Sequence, residues 1–249
     1  MKADDFPRYG LPSDVVVGLA FNALFGLKRS FCTDAIRCIG RLKPSLLVIG
    51  EENIPENGPC VLTVNHNYRP GFGAWWIALA IAATVPVEMH WVVTGELLYL
   101  GKFGGPLSRW ALARIAKTYG FTTMPPMPPR PGDVEARAKA VKTVLKLVKQ
   151  SGNTVLGLAP EGADQGGGQL SLPPLGAGRF GLLLAGLGSG FVPVGAYEAD
   201  GAFCLHFGPA YRLDVPSGLS ADEKDRTAAE VMMKNIAVLL PESLRGEFA

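Results

Sequence analysis

Three short stretches place residues able to do chemistry at the ends of strands. The first is Asn65-His66, which follows the apolar run 60–64 and precedes a Pro70-Gly71 break. The second is Pro160-Glu161-Gly162, which follows the run 154–158. The third is Val192-Pro193-Val194, inside the run 191–197. Short apolar runs bounded by turn residues are the pattern of buried strands. An imidazole held where a core strand passes into a loop can reach a cleft, because ligands in open α/β sheets gather at the carboxyl ends of strands. A neutral ring there can take a proton from a hydroxyl within hydrogen-bond reach.

The elements that position these residues follow from periodicity and from breakers. Strands are expected at 46–49, 60–64, 89–93, 120–124, 154–158, 191–197 and 202–207. Helices are expected at 73–83, 96–100, 106–119, 134–150, 176–187 and 220–239, with a helical region over 32–42. Helix 73–83 is apolar all round and belongs in the interior. In helix 134–150, Val141, Val144, Leu145 and Val148 keep the 3–4 spacing of a buried face, and Asp133 is placed to cap it. Ser220, with Glu223 three residues on, opens the last helix as a capping box. The proline-rich segment 125–132 is excluded from regular structure. Strands alternating with helices define an α/β fold: a mostly parallel central sheet flanked by helices, with an N-terminal apolar helical segment.

That N-terminal segment, residues 15–27, carries no charge and is followed by Lys28-Arg29. It is too short to span a bilayer. An apolar helix with a basic end suits the membrane interface, and it equally suits packing on the core. A mean hydropathy of +0.20 favours membrane contact. Two charge-free runs, 70–87 and 180–197, reach only 18 residues and hold glycine and proline. They are expected to be buried helix-plus-strand segments. With a net charge of +2 and no long basic block, nucleic acid is not an expected partner. Cys32, Cys38, Cys60 and Cys204 form no CxxC pair and no metal-ligand spacing, so no metal is expected and a reducing compartment is. The first residues, acidic and proline-bearing, are not a signal peptide.

Two patterns match motifs by letter only. Gly176–Gly181, GAGRFG, has the glycines of a dinucleotide fingerprint, but Pro173-Pro174 stand where a strand should run into it. These glycines are better suited to close helix packing or to backbone N–H groups facing an anion. LGSGF, residues 187–191, lacks the form of a nucleophile elbow. His90 and His206 lie within apolar strands and are expected to be structural.

Taken together, NHNYRPG (65–71), APEGADQ (159–165) and FVPVGAYE (191–198) resemble the blocks of the glycerolipid acyltransferases of the lysophosphatidic-acid acyltransferase type. That family shows Asn-His, four residues, then Asp; a Phe-Pro-Glu-Gly-Thr-Arg block; and a Val-Pro-Val strand. The resemblance covers residues 45–210, and segment 15–27 is similar to the family's membrane-docking helices. It implies a division into residues 1–44, an N-terminal helical membrane-docking segment, and 45–249, an acyltransferase-like α/β domain.

The resemblance implies an O-acyltransferase that moves a fatty acyl group from a thioester donor to a hydroxyl of a lysophospholipid, glycerolipid or glycolipid. His66 would be the general base. Asn65, Arg69, Glu161, Gly162, Asp164 and Arg179 would contact substrate. No cofactor is implied; acyl-CoA or acyl carrier protein is a co-substrate. The expected partners are a membrane lipid surface, the donor, and a lipid or sugar acceptor, and the expected place is peripheral, on the cytoplasmic face of the membrane. The chain departs from the pattern at three places. Gly71 replaces the Asp that fixes the imidazole in the family. Ala163 and Asp164 replace the Thr and the phosphate-contacting Arg. GFTTMPP (120–126) lacks the Arg found after the middle strand. These changes put an acceptor without phosphate, such as a sugar or a neutral glycolipid, on at least an equal footing with a phosphorylated one. The alternative is a non-catalytic lipid- or partner-binding protein that keeps the fold.

Overall fold

The computed structural model describes residues 7–67, 69–97, 101–126, 130–163 and 168–249. The strands are β1 Leu47–Ile49, β2 Cys60–Val64, β3 His90–Thr94, β4 Thr122–Met124, β5 Val155–Leu158, β6 Gly190–Ala199 and β7 Ala202–Phe207. They form one sheet in the order β1-β7-β6-β2-β5-β3-β4. From β4 to β6 every neighbouring pair is parallel; β7 turns back antiparallel to β6, and β1 pairs parallel with β7. The helices are α1 Ser13–Phe25, α2 Phe31–Ile39, α3 Trp75–Thr84, α4 Gly101–Tyr119, α5 Val134–Ser151, α6 Ala177–Ala185 and α7 Ala221–Ala237.

β2 lies at the centre, between β5 and β6, and all five of its residues are buried. A parallel strand covered on both faces reads as a nearly continuous apolar run, which Thr63 alone interrupts here. Leu62 and Val64 join a core with Val15, Phe31 and Ile77 from α1, α2 and α3. Val61 points the other way, into a core with Val144, Phe180 and Met232 from α5, α6 and α7. The strand that delivers His66 is thus fixed from both sides. Among the described residues no helix is long and apolar enough to cross a membrane. All four cysteines are free.

Two expectations about helix starts need correction. α4 begins at Gly101, so Pro106 stands inside it. A proline marks a helix start only when the preceding chain is not already coiled. Of the helical piece expected at 96–100, residues 96 and 97 are not helical and 98–100 lie outside the described residues. Asp133 precedes α5 but makes no capping bond. Its carboxylate accepts instead from Arg130 Nε at 2.9 Å, a charge-assisted bond. At α7 the Ser220–Glu223 capping box is present.

The GAGRFG stretch is closed by the chain itself. Buried Asp225 on α7 accepts from the backbone N–H groups of Gly176 and Arg179, both at 2.6 Å. The anion at this helix N-terminus is internal. Gly178 permits the approach: a Cβ there would lie 1.8 Å from the Asp225 carbonyl oxygen.

Candidate active site

A cavity of about 2080 Å³ opens at the carboxyl ends of β2 and β5. Small-molecule sites usually occupy about 300–1,000 Å³, so this one has room for more than one extended chain. Val16 and Leu19 of α1 and Trp110 of α4 line it, as do Val141 of α5 and Leu183 of α6. His66, Gly71 and Gly162 also line it, and His66 is half-buried.

The loop that carries His66 is anchored residue by residue. Asn65 is buried, and its amide makes a two-way clamp on β6: Nδ2 donates to the Ala196 carbonyl at 2.8 Å, and Oδ1 accepts from the Ala196 N–H at 2.7 Å. The backbone N–H of His66 donates to Glu161 Oε2 at 2.7 Å. Three residues on, Arg69 and Phe72 exchange backbone hydrogen bonds across a tight turn. Gly71 makes that turn, at φ +85°, in the left-handed region that favours glycine. The Arg69 guanidinium forks onto Glu198 of β6, with Nη2 donating to Oε1 at 2.6 Å and Nε to Oε2. The Tyr9 hydroxyl donates to the same carboxylate at 2.7 Å, and the Tyr9 ring packs on Phe72 and Trp76.

Glu161 is 3% exposed. Its Oε1 accepts from the Ser171 N–H at 2.9 Å, while Oε2 holds His66. Burial raises the Glu161 carboxyl above its ordinary pKa, and the two backbone donors offset part of that rise. The carboxylate therefore joins the two loops that meet at the cavity. Gly162, exposed and at φ +69°, turns the chain directly after it.

The remaining predicted residues fall elsewhere. Arg179 lines the cavity from α6, but its side chain is mostly exposed and faces Asp222 at 3.3 Å. Asp164 lies outside the described residues. His90 pairs with Thr122 Oγ1 and His206 with the Leu239 carbonyl, so neither faces the cavity. Sequence reasoning missed Glu198, Tyr9 and Ser171. Glu198 carried one signal, an acid at the end of an otherwise apolar strand.

These features define an α/β protein whose long apolar cleft holds one histidine at a strand end. The chain belongs to the Acyltransferase family, whose model matches residues 45–195. No curated protein matches the sequence. Among solved structures, the 1-acyl-sn-glycerophosphate (LPA) acyltransferase PlsC from Thermotoga maritima shares the fold. It is similar at 15% sequence identity and a TM-score of 0.53, over 92% of this chain and 84% of that one.

Proposed function

We propose that this acyltransferase moves a fatty acyl group from a thioester to the hydroxyl of a glycerolipid or glycolipid at a membrane surface. His66 serves as general base. The observation that carries this reading is a half-buried imidazole lining a large apolar cavity at the strand ends. The acceptor hydroxyl gives its proton to the imidazole, and its oxygen attacks the thioester carbonyl. The carbon–sulfur bond then breaks, and the imidazolium returns the proton to the departing thiolate. General-base catalysis of this kind contributes about 10²–10⁴-fold. Glu161 acts as a positioning residue through the His66 amide, not through contact with the reacting atoms.

An acceptor without phosphate fits the residues best. Arg69 is committed to Glu198, Arg179 faces Asp222, and Ala163 supplies no charge. The membrane supplies the acceptor lipid. Val16 and Leu24 of α1 are exposed and also line the cavity, so the wall that would dip into the bilayer is a wall of the site. Phe21 and Phe25 extend the same exposed apolar surface, and apolar side chains of this kind anchor a helix in the interface.

One observation favours a second reading, a lipid-binding protein without catalysis: the family's Asp position is a glycine in the left-handed region. A transacylation assay over phosphorylated and neutral acceptors, with His66→Ala as control, decides between them. Acyl transfer to a neutral acceptor that the variant loses is the expected result. Wild type indistinguishable from the variant on every acceptor leaves the binding protein.

A further inference from the structure

α5 bears Arg137, Lys139, Lys142, Lys146 and Lys149 against one acid, Glu135. Among the described residues none of these five cations forms a close ion pair, although the Asp133 carboxylate acts on the charge of Arg137. Arg137 donates through Nη2 to the carbonyls of Pro125 and Pro126 at 3.3 and 3.2 Å, which leaves its other N–H groups available. Arg137 and Lys142 line the same cavity as His66. Lys142 is exposed and Arg137 half-buried, with the Asp133 carboxylate near enough to act on the Arg137 charge; two cations at the rim of one cavity still favour an anion between them.

Strand register locates this pair relative to His66. Leu62 of β2 lies opposite Gly157 of β5, Gly157 opposite Trp91 of β3, and Val92 of β3 opposite Thr122 of β4. β2 and β4 are three places apart in the sheet, so their carboxyl ends are about 14 Å apart at the usual strand spacing. His66 follows the end of β2, and Pro125 follows the end of β4. The Arg137 guanidinium rests on Pro125.

That separation discriminates between the two substrates of the proposed reaction. In a glycerol phosphate the acceptor oxygen is four bonds from phosphorus, about 5 Å at roughly 1.2 Å per bond in an extended chain. In a phosphopantetheine thioester the sulfur is thirteen bonds from phosphorus, about 16 Å on the same scale. We infer that Arg137 and Lys142 bind the phosphate of a phosphopantetheine arm, which lies along the cavity and presents its thioester at His66. The inference rests on the proposed thioester transfer. The arm occurs both in coenzyme A and on an acyl carrier protein. The lysines beyond the cavity, Lys139, Lys146 and Lys149, would meet the coenzyme's further phosphates or the carrier's carboxylates.

The test compares one acyl group on coenzyme A, on an acyl carrier protein and on N-acetylcysteamine, which has the thioester without the phosphate. The full chain is assayed as wild type, Lys142→Gln and Arg137→Gln. Lys142 is exposed and, among the described residues, makes no hydrogen bond or ion pair, so its variant carries the test even if Arg137→Gln disturbs the Pro125 turn. The ratio of kcat/KM for the coenzyme A donor to that for the N-acetylcysteamine donor is expected to fall about tenfold in each variant, through KM, as for loss of one charge-assisted bond. The same fall with the carrier protein, or with it alone, supports the site and identifies the source of the arm. An unchanged ratio for both phosphorylated donors overturns it. Coenzyme A binding, followed by calorimetry, separates this inference from the reaction. Wild type binding coenzyme A about tenfold more tightly than Lys142→Gln supports the site even if no acyl group moves, and equal affinities overturn it.

Discussion

Restoring the family's aspartate by Gly71→Asp tests whether position 71 can orient His66 in this chain. Gly71 has φ +85°. A side chain in the left-handed region costs about 1–2 kcal/mol, with Asp and Asn at the low end because they visit it more readily. For a domain of this size that lowers Tm by roughly 2–4 °C per kcal/mol. Space is not the obstacle: the nearest neighbour of an added Cβ is Arg69 Nη1, at 3.5 Å. That neighbour determines the outcome. A carboxylate one bond further out meets the guanidinium, and a charge-assisted Arg–carboxylate bond holds it away from the imidazole. The expected result is a Tm a few degrees below wild type and a kcat/KM no higher than that of wild type or Gly71→Asn, measured by thiol release from an acyl-CoA. A working orienting aspartate is worth far more, about 10⁴-fold in the serine-protease triad. If Gly71→Asp exceeds both wild type and Gly71→Asn by tenfold or more, the account of this loop is wrong.

Other perturbations test the same framework. Arg69→Gln leaves the Glu198 carboxylate, 5% exposed, without its cation. The cost is about 3 kcal/mol, read as a Tm loss of roughly 6–12 °C; Glu198→Gln, which removes the charge and keeps an acceptor, is expected to lose less. Glu161 has a folded-state pKa raised above its ordinary 4.5 by burial. The stability it contributes is complete below that ordinary value and is lost as pH rises through the folded value. The Tm of Glu161→Gln relative to wild type is therefore expected to climb as pH rises from 4 to 7; parallel curves would contradict the burial argument. Phe21→Glu with Phe25→Glu is expected to reduce co-sedimentation with anionic vesicles at least tenfold at unchanged Tm, because both side chains are exposed and support no core. Equal sedimentation would remove α1 from the membrane contact.

The strands of the site were legible because a centrally placed strand can only be an apolar run. β2, β5 and β6 stand at or within a few residues of where the pattern set them, and the motif residues sit at the ends of β2 and β5 for that reason. The start of α4 was not legible, since local signals cannot distinguish a proline that opens a helix from one inside it. The long-range partners were hidden for a different reason. Arg69 and Glu198 are 129 residues apart in sequence, and only the β2–β6 pairing brings them together. The same pairing turns Asn65, which looks like a ligand contact beside His66, into a clamp on Ala196.

The missing aspartate therefore has a physical explanation that does not require a dead scaffold. In the family pattern one position both belongs to the loop and supplies the carboxylate. In this chain the turn between Arg69 and Phe72 closes so tightly that position 71 must be left-handed, and that requirement takes precedence. Orientation of the loop then passes to backbone anchors on either side of the imidazole: Asn65 to Ala196 before it, Glu161 at its own amide, and Arg69 to Glu198 after it. Three anchors within five residues hold the loop that carries His66. If catalysis survives in such a loop, its dependence on Arg69 and Glu198 will appear in kcat as well as in Tm. A protein that only binds lipid will show the loss of Tm alone.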